Sequence, residues 1–223
     1  MRTAICVGVG LLVSVVLSGC TRESAPPPPV QAPSPPPTAA RPSAPGKTAK
    51  AGPAAKRVVL IIGHHNFRDE EYEKPREALT AAGIEVTVAS SSLEPATGML
   101  GATVQPDVLL PDVKAQEYDA VVFIGGTGAE EYWDDPTAQQ LCQDTVSQGK
   151  LLAAICLAPV TLARAGVLKG KAATVWPDEK GEVVKRGGTY EARRVVVDGK
   201  LITGSGPEAA QEFATALVKA LTS

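Results

Sequence analysis

Leu151-Leu152-Ala153-Ala154-Ile155-Cys156-Leu157-Ala158-Pro159-Val160-Thr161-Leu162-Ala163-Arg164-Ala165-Gly166 changes its period midway. The first five residues are an unbroken apolar run, the pattern of a strand buried on both faces. From Leu157 to Ala165 the residues read as a helix, closed by Gly166. Cys156 falls at the junction, where a strand turns sharply into a helix, the setting of a nucleophile elbow. A side chain there stands above the sheet edge, with the helix's free N–H groups and positive dipole end directed at it. That setting lowers a thiol pKa and makes the thiolate accessible. The competing reading is a small buried hydrophobe, because free cysteine is among the most buried residue types.

Outward from this junction the same alternation repeats. Arg57-Val58-Val59-Leu60-Ile61-Ile62 is a continuous strand, followed by a helix from about Asp69 to Ala82 and a strand from Glu85 to Ala89. Val104 and its neighbours mark an excursion with a short extra strand before Ala120-Val121-Val122-Phe123-Ile124. Asp135-Pro136 supplies a capping side chain and then a proline at the first helical position, opening a helix over Thr137 to Gln148. Ala173 to Val175, Val195 to Val197 and Leu201 to Thr203 read as further strands. A last helix opens at Pro207 and runs to about Leu221, with Phe213, Leu217 and Leu221 at helical spacing. Apolar strands alternating with helices predict an α/β domain whose mostly parallel sheet is covered on both faces. Active sites of such sheets lie beyond the carboxyl ends of the strands, and Cys156 is at such an end.

The same edge receives three other groups. Gly125-Gly126 follows the strand ending at Ile124, and glycine there lets backbone N–H groups approach closely. The Gly126 and Leu157 amides could together form an oxyanion hole. Gly125-Gly126-Thr127-Gly128 is not a phosphate loop, since no lysine follows and the dinucleotide spacing is missing. His64 and His65, the chain's 2 histidines, follow the first strand, with Glu70, Glu71 and Glu73 just beyond. Adjacent loop histidines are more often solvated than catalytic, and no third ligand is spaced for zinc, so no metal site is expected.

The N-terminus bears on location. Arg2 supplies a positive charge and Ala4 to Leu17 an apolar segment too short to span a bilayer comfortably. Leu17-Ser18-Gly19-Cys20 resembles the lipobox of bacterial lipoproteins, which implies removal of residues 1–19 and lipidation of Cys20. Several acyl chains on one residue give stable anchoring to a membrane. The expected location is therefore the bacterial cell envelope, lipid-anchored and extracytoplasmic, in the outer membrane if the host is Gram-negative. Residues 20–55 hold most of the 19 prolines, including Pro26 to Pro29 and Pro35 to Pro37. Such Pro/Ala/Ser sequence without apolar periodicity reads as a disordered tether, extended at about 3 Å per residue.

Residues 56–223 remain as one domain with a sizeable core. The net charge of −2 argues against a general nucleic-acid role. Of the 4 cysteines, Cys6 leaves with the signal and Cys20 takes lipid, so Cys142 and Cys156 remain. Two thiols do not make a disulfide framework, and Cys142 on its helix reads as structural.

The ordered motifs resemble the ThiJ/PfpI superfamily, which includes a Parkinson-disease-linked protein deglycase and archaeal intracellular proteases. The resemblance runs from Arg57 to Leu221. It rests on Ala153-Ala154-Ile155-Cys156-Leu157-Ala158-Pro159, Gly125-Gly126, Ala82-Gly83-Ile84-Glu85-Val86-Thr87-Val88-Ala89, Gly166-Val167-Leu168-Lys169-Gly170-Lys171 and Leu201-Ile202-Thr203-Gly204-Ser205-Gly206-Pro207. It implies a flavodoxin-like α/β/α sandwich, a homodimer and a reactive Cys156. The family's glutamate precedes a proline by four positions, which selects Glu71 before Pro75 and leaves Glu70 and Glu73 at the surface.

An ionised Glu71 beside the sulfur would disfavour a thiolate, so the pair is expected to share a proton, the carboxylic acid donating to the sulfur. Two departures stand out. The protease-like branch has histidine immediately after its cysteine, where this chain has Leu157. Another branch has histidine before a later proline, where this chain has Trp176, which would either floor the pocket or lie in the core. The resemblance therefore points to a cofactor-independent glyoxalase or deglycase acting on small reactive carbonyls. The alternatives are a redox sensor through oxidation of Cys156 and, last, a hydrolase using His64 or His65.

Overall fold

The computed structural model describes residues 55–223. The signal segment, Cys20 and nearly all of the tether lie outside these residues. The described chain opens with β1 (Arg57–Ile61), makes a short β2 (His65–Phe67) and enters α1 (Asp69–Ala81). It returns as β3 (Glu85–Ser90). The excursion contains β4 (Ala96–Gly98), β5 (Thr103–Val104) and β6 (Val108–Leu109), ahead of β7 (Ala120–Phe123) and α2 (Pro136–Ser147). Next come β8 (Leu151–Ile155), α3 (Pro159–Arg164), β9 (Ala172–Ala173), α4 (Lys180–Lys185) and β10 (Thr189–Tyr190). β11 (Val195–Asp198), β12 (Leu201–Gly204) and α5 (Ala210–Thr222) complete the chain.

Seven strands form the central sheet in the order β11-β12-β8-β7-β1-β3-β6. All its neighbours are parallel except β11 and β12. Alternate residues of each strand feed opposite layers. Val59, Ile61, Val121, Phe123, Leu152 and Ala154 join α2 and α3 in one core. Val58, Leu60, Val122, Ala153 and Ile155 join α1 and α5 in the other. In α5 the contact is made by Phe213, Leu217 and Leu221, the helical stripe read in the sequence. Each such side chain contributes about 1.5–3 kcal/mol on burial, so the two layers hold the sheet from both faces. This is the expected flavodoxin-like α/β/α sandwich.

Strand order reverses around β1, which pairs with β3 on one side and β7 on the other. Crossovers run in opposite directions from that point and open a crevice at the carboxyl ends of β1, β7 and β8. Asp135 caps α2 as read, accepting from the Ala138 amide at 2.8 Å. Two elements differ from the sequence reading. The strand expected at Ala173 to Val175 is only Ala172–Ala173, and it pairs with β10 outside the central sheet. Beyond it the Thr174 amide donates to the Thr203 side chain at 2.8 Å, which holds this segment beside β12. The helix after Cys156 begins at Pro159 rather than Leu157, because Leu157 and Ala158 make a turn first.

Candidate active site

β8 delivers Cys156 above the crevice with φ 63°, and Asn66 is the other non-glycine residue with positive φ among the described residues. Such a conformation costs on the order of 1–3 kcal/mol and persists only where surrounding bonds enforce it. Here the Cys156 amide donates to the Gly204 carbonyl at 2.9 Å, and the Cys156 carbonyl accepts from the Trp176 amide at 2.8 Å. A trans peptide points its carbonyl and its N–H in opposite directions. Trp176 therefore fixes the plane that turns the Leu157 N–H toward the sulfur. The Trp133 indole donates to the Leu157 carbonyl at 3.1 Å and fixes the next plane.

Gly125 and Gly126 follow β7 and press against this turn. A Cβ on Gly125 would stand 2.5 Å from both the Cys156 Cβ and the Glu71 Oε2, so only glycine lets those two side chains meet. Gly126 has φ 92°, and a Cβ there would lie 2.5 Å from the Arg68 amide nitrogen. The Arg68 amide donates to the Gly125 carbonyl at 2.9 Å, which ties the glycine turn to the start of α1.

Glu71 sits in the first turn of α1, with no exposed surface. Pro75, one turn on, has no N–H to offer the Glu71 carbonyl. Neither oxygen of the Glu71 side chain makes a hydrogen bond of good geometry among the described residues. Burial raises its pKa to about 8, with the Cys156 thiol, the Arg68 charge and the Gly125 amide pulling the other way. Glu71 thus holds its proton at neutral pH and becomes a carboxylate only a little above it.

The thiol departs from the sequence reading. A depressed pKa and an exposed thiolate were expected, yet Cys156 is 7% exposed. Its pKa is pushed up to about 12, first by burial and then by the Glu71 charge. The Gly126 and Leu157 amides both act on the sulfur and draw it down, but they do not outweigh burial. The helix behind it helps little, being six residues long and opening on a proline without an N–H.

A cavity of about 230 Å³ opens over the sulfur, between the Gly126 turn and Leu157. Trp176 lines it and is 40% exposed, so it is a wall at the mouth and not a core residue. Met99, Thr127 and Pro207 complete the apolar side. Met99 is held there because the buried Asp69 carboxylate accepts from the Leu100 and Ala102 amides, each at 2.8 Å. His64 and His65 do not line the cavity. The His65 ring contacts the Thr97 hydroxyl at 3.1 Å, and the two histidine rings lie 4.3 Å apart. No cluster of metal-ligating side chains occurs among the described residues.

Arg68 is a cavity residue the sequence reading missed. It pairs with Glu70 through Nε at 2.7 Å and Nη2 at 3.1 Å, which gives Glu70 a partner at the site. The signal was present in Arg68-Asp69-Glu70-Glu71, a cation and three acids at a helix start, but its direction was not legible.

The sequence model described as the DJ-1/PfpI family matches residues 56–220. A deglycase of Pyrococcus abyssi is 35% identical over 149 residues, covering 67% of this chain and 90% of its own. A glutathione-independent glyoxalase of Caenorhabditis elegans is 30% identical over 168 residues, 75% of this chain and 90% of that one. Among solved structures, a ThiJ/PfpI domain protein from Brachyspira murdochii aligns with a TM-score of 0.74 at 32% identity. That alignment covers 75% of this chain and 97% of the other. Fold, topology and relatives agree: the chain belongs to the DJ-1/PfpI family.

Proposed function

We propose that the protein is a cysteine-dependent enzyme that converts small α-oxoaldehydes to 2-hydroxy acids. The observation that carries this reading is Glu71, a fully buried carboxyl with no hydrogen bond of good geometry among the described residues, meeting Cys156 across Gly125. The names of the deglycase and glyoxalase relatives support it.

The active form has Glu71 as carboxylate. It takes the thiol proton as Sγ attacks the aldehyde carbon; the carbon–sulfur bond forms and the carbonyl electron pair moves to oxygen. The Gly126 and Leu157 amides hold that oxyanion. Glu71 returns the proton to it, giving a hemithioacetal. The carboxylate then removes the hydrogen on the same carbon and delivers it to the neighbouring carbon through an enediol, while the hydroxyl proton of the first carbon passes to the oxygen of the second. The first carbon is oxidised to a thioester and the second is reduced to an alcohol. Water cleaves the thioester, releasing the hydroxy acid and the thiol.

Methylglyoxal would give lactate. Glu71→Gln should lower lactate formation by about 100- to 10,000-fold, the usual span for a positioned acid–base group. Unchanged turnover in that variant would sink the mechanism. The parent rate should rise with pH and level off above about 8, where Glu71 is ionised. A hydrolase is less supported, because Leu157 stands where a histidine base would be and neither histidine lines the cavity. A redox sensor needs an exposed, acidic thiol, and burial of Cys156 works against it. We further propose that lipidated Cys20 anchors the domain in the bacterial envelope and that the domain pairs as a homodimer. Cys20→Ala should release protein from membranes, and continued retention would refute the anchor.

A further inference from the structure

Arg68 is the cavity's one charged side chain among the described residues. A guanidinium offers two forks of paired N–H groups, one side-on through Nε and Nη2 and one end-on through Nη1 and Nη2. Glu70 fills the side-on fork with both its oxygens. No contact among the described residues engages Nη1, so the end-on fork is unoccupied. Arg68 lines the same cavity as Cys156, and its amide is hydrogen-bonded to the Gly125 carbonyl, the glycine against which Cys156 and Glu71 both pack. The rest of the lining beyond the thiol is a threonine, apolar side chains and backbone, with nothing else to neutralise an anion.

We propose that Arg68 is the specificity-determining residue of this pocket, selecting α-oxoaldehydes whose far end carries an oxyanion, a carboxylate or a phosphate. Glu70 holds the guanidinium by its side edge. The substrate's oxyanion takes the end edge, and its aldehyde carbon reaches Sγ. The proposal rests on the α-oxoaldehyde reading and adds no step to that chemistry.

Steady-state rates would be compared for methylglyoxal, 3,4-dioxobutanoate and 2-oxo-3-phosphooxypropanal, with the parent protein, Arg68→Met and Arg68→Lys. The parent should favour one or both anionic substrates over methylglyoxal. Arg68→Met should lower their kcat/KM by about 10- to 100-fold more than that of methylglyoxal, as expected for a lost charge-assisted fork, any smaller loss shared by all three substrates reporting the charge withdrawn from Glu71. Arg68→Lys, which keeps the charge without the fork, should fall between. The two anionic substrates separate carboxylate from phosphate recognition. An equal loss for all three substrates would overturn the proposal, leaving Arg68 as an electrostatic support of the thiol. Absence of any turnover would count against the carbonyl chemistry. Calorimetric binding of 3-phosphoglycerate and of malonate to the parent and to Arg68→Met would then decide the anion site alone. Binding of either, weakened at least tenfold by Arg68→Met, upholds the site, and binding of neither refutes it.

Discussion

Cys142 and Cys156 are both free, both buried and both raised in pKa by desolvation, yet their surroundings could hardly differ more. Cys142 lies inside α2, packed in the core between that helix and the sheet, and nothing ionisable among the described residues acts on it. Cys156 sits on a left-handed turn at a strand end, with two amides on its sulfur, a protonatable carboxyl beside it and a cavity above. Burial alone therefore does not tell the two apart, and the reactivity proposed for Cys156 rests on something else. What separates the two is backbone geometry that admits a ligand and a partner that can exchange a proton.

The largest expected effect concerns that partner. Folding raises the Glu71 pKa from 4.5 to about 8, so between those values the folded state holds a proton the unfolded state has lost. Stability contributed by the neutral carboxyl is therefore lost as pH rises, by at most about 4 kcal/mol between pH 5 and 8. Denaturant melts of the parent and of Glu71→Gln would check this. The difference between them should shrink or reverse toward pH 8, whereas parallel profiles would mean Glu71 is not buried neutral. Cys142→Ala should leave that pH profile unchanged.

Next in size is selective labelling. Iodoacetamide in excess should modify Cys156 at least about 100-fold faster than Cys142, since only the former opens on a cavity and the thiolate is the reactive form. The Cys156 rate should climb with pH through and beyond 8. Peptide mass spectrometry at timed intervals reads both sites, and equal labelling would break the contrast. The smallest effect is on packing. Cys142→Ala should cost about 1 kcal/mol of stability through a small cavity and leave turnover within twofold. A large activity loss there would make α2 part of the site.

The sequence made the scaffold legible because its strands are doubly buried and its helices carry clear stops. The Leu151–Ile155 strand, the Asp135 cap and the α5 stripe all stand where the residues indicated. Short elements were opaque: α4 is six residues, half of them charged, and of Ala173 to Val175 only Ala173 is paired, outside the main sheet. Much of the candidate site was legible as positions, with Glu71, Gly126, Leu157 and Trp176 all brought to Cys156. The thiol's electrostatics were not, because they depend on depth, and a strand–turn–helix pattern does not report depth. Arg68 was missed for a related reason, since a cation before a helix usually points to solvent and this one turns inward beside Glu70.

The central claim, that geometry and not burial singles out one of two buried thiols, is tested most directly by replacing each in turn. Lactate formation from methylglyoxal would be followed under reducing conditions for the parent, Cys156→Ser and Cys142→Ser. The account predicts lactate from the parent and from Cys142→Ser at similar rates, and a loss of at least about 1,000-fold in Cys156→Ser, as for removal of a nucleophile. Turnover retained in Cys156→Ser, or lost only in Cys142→Ser, would contradict it.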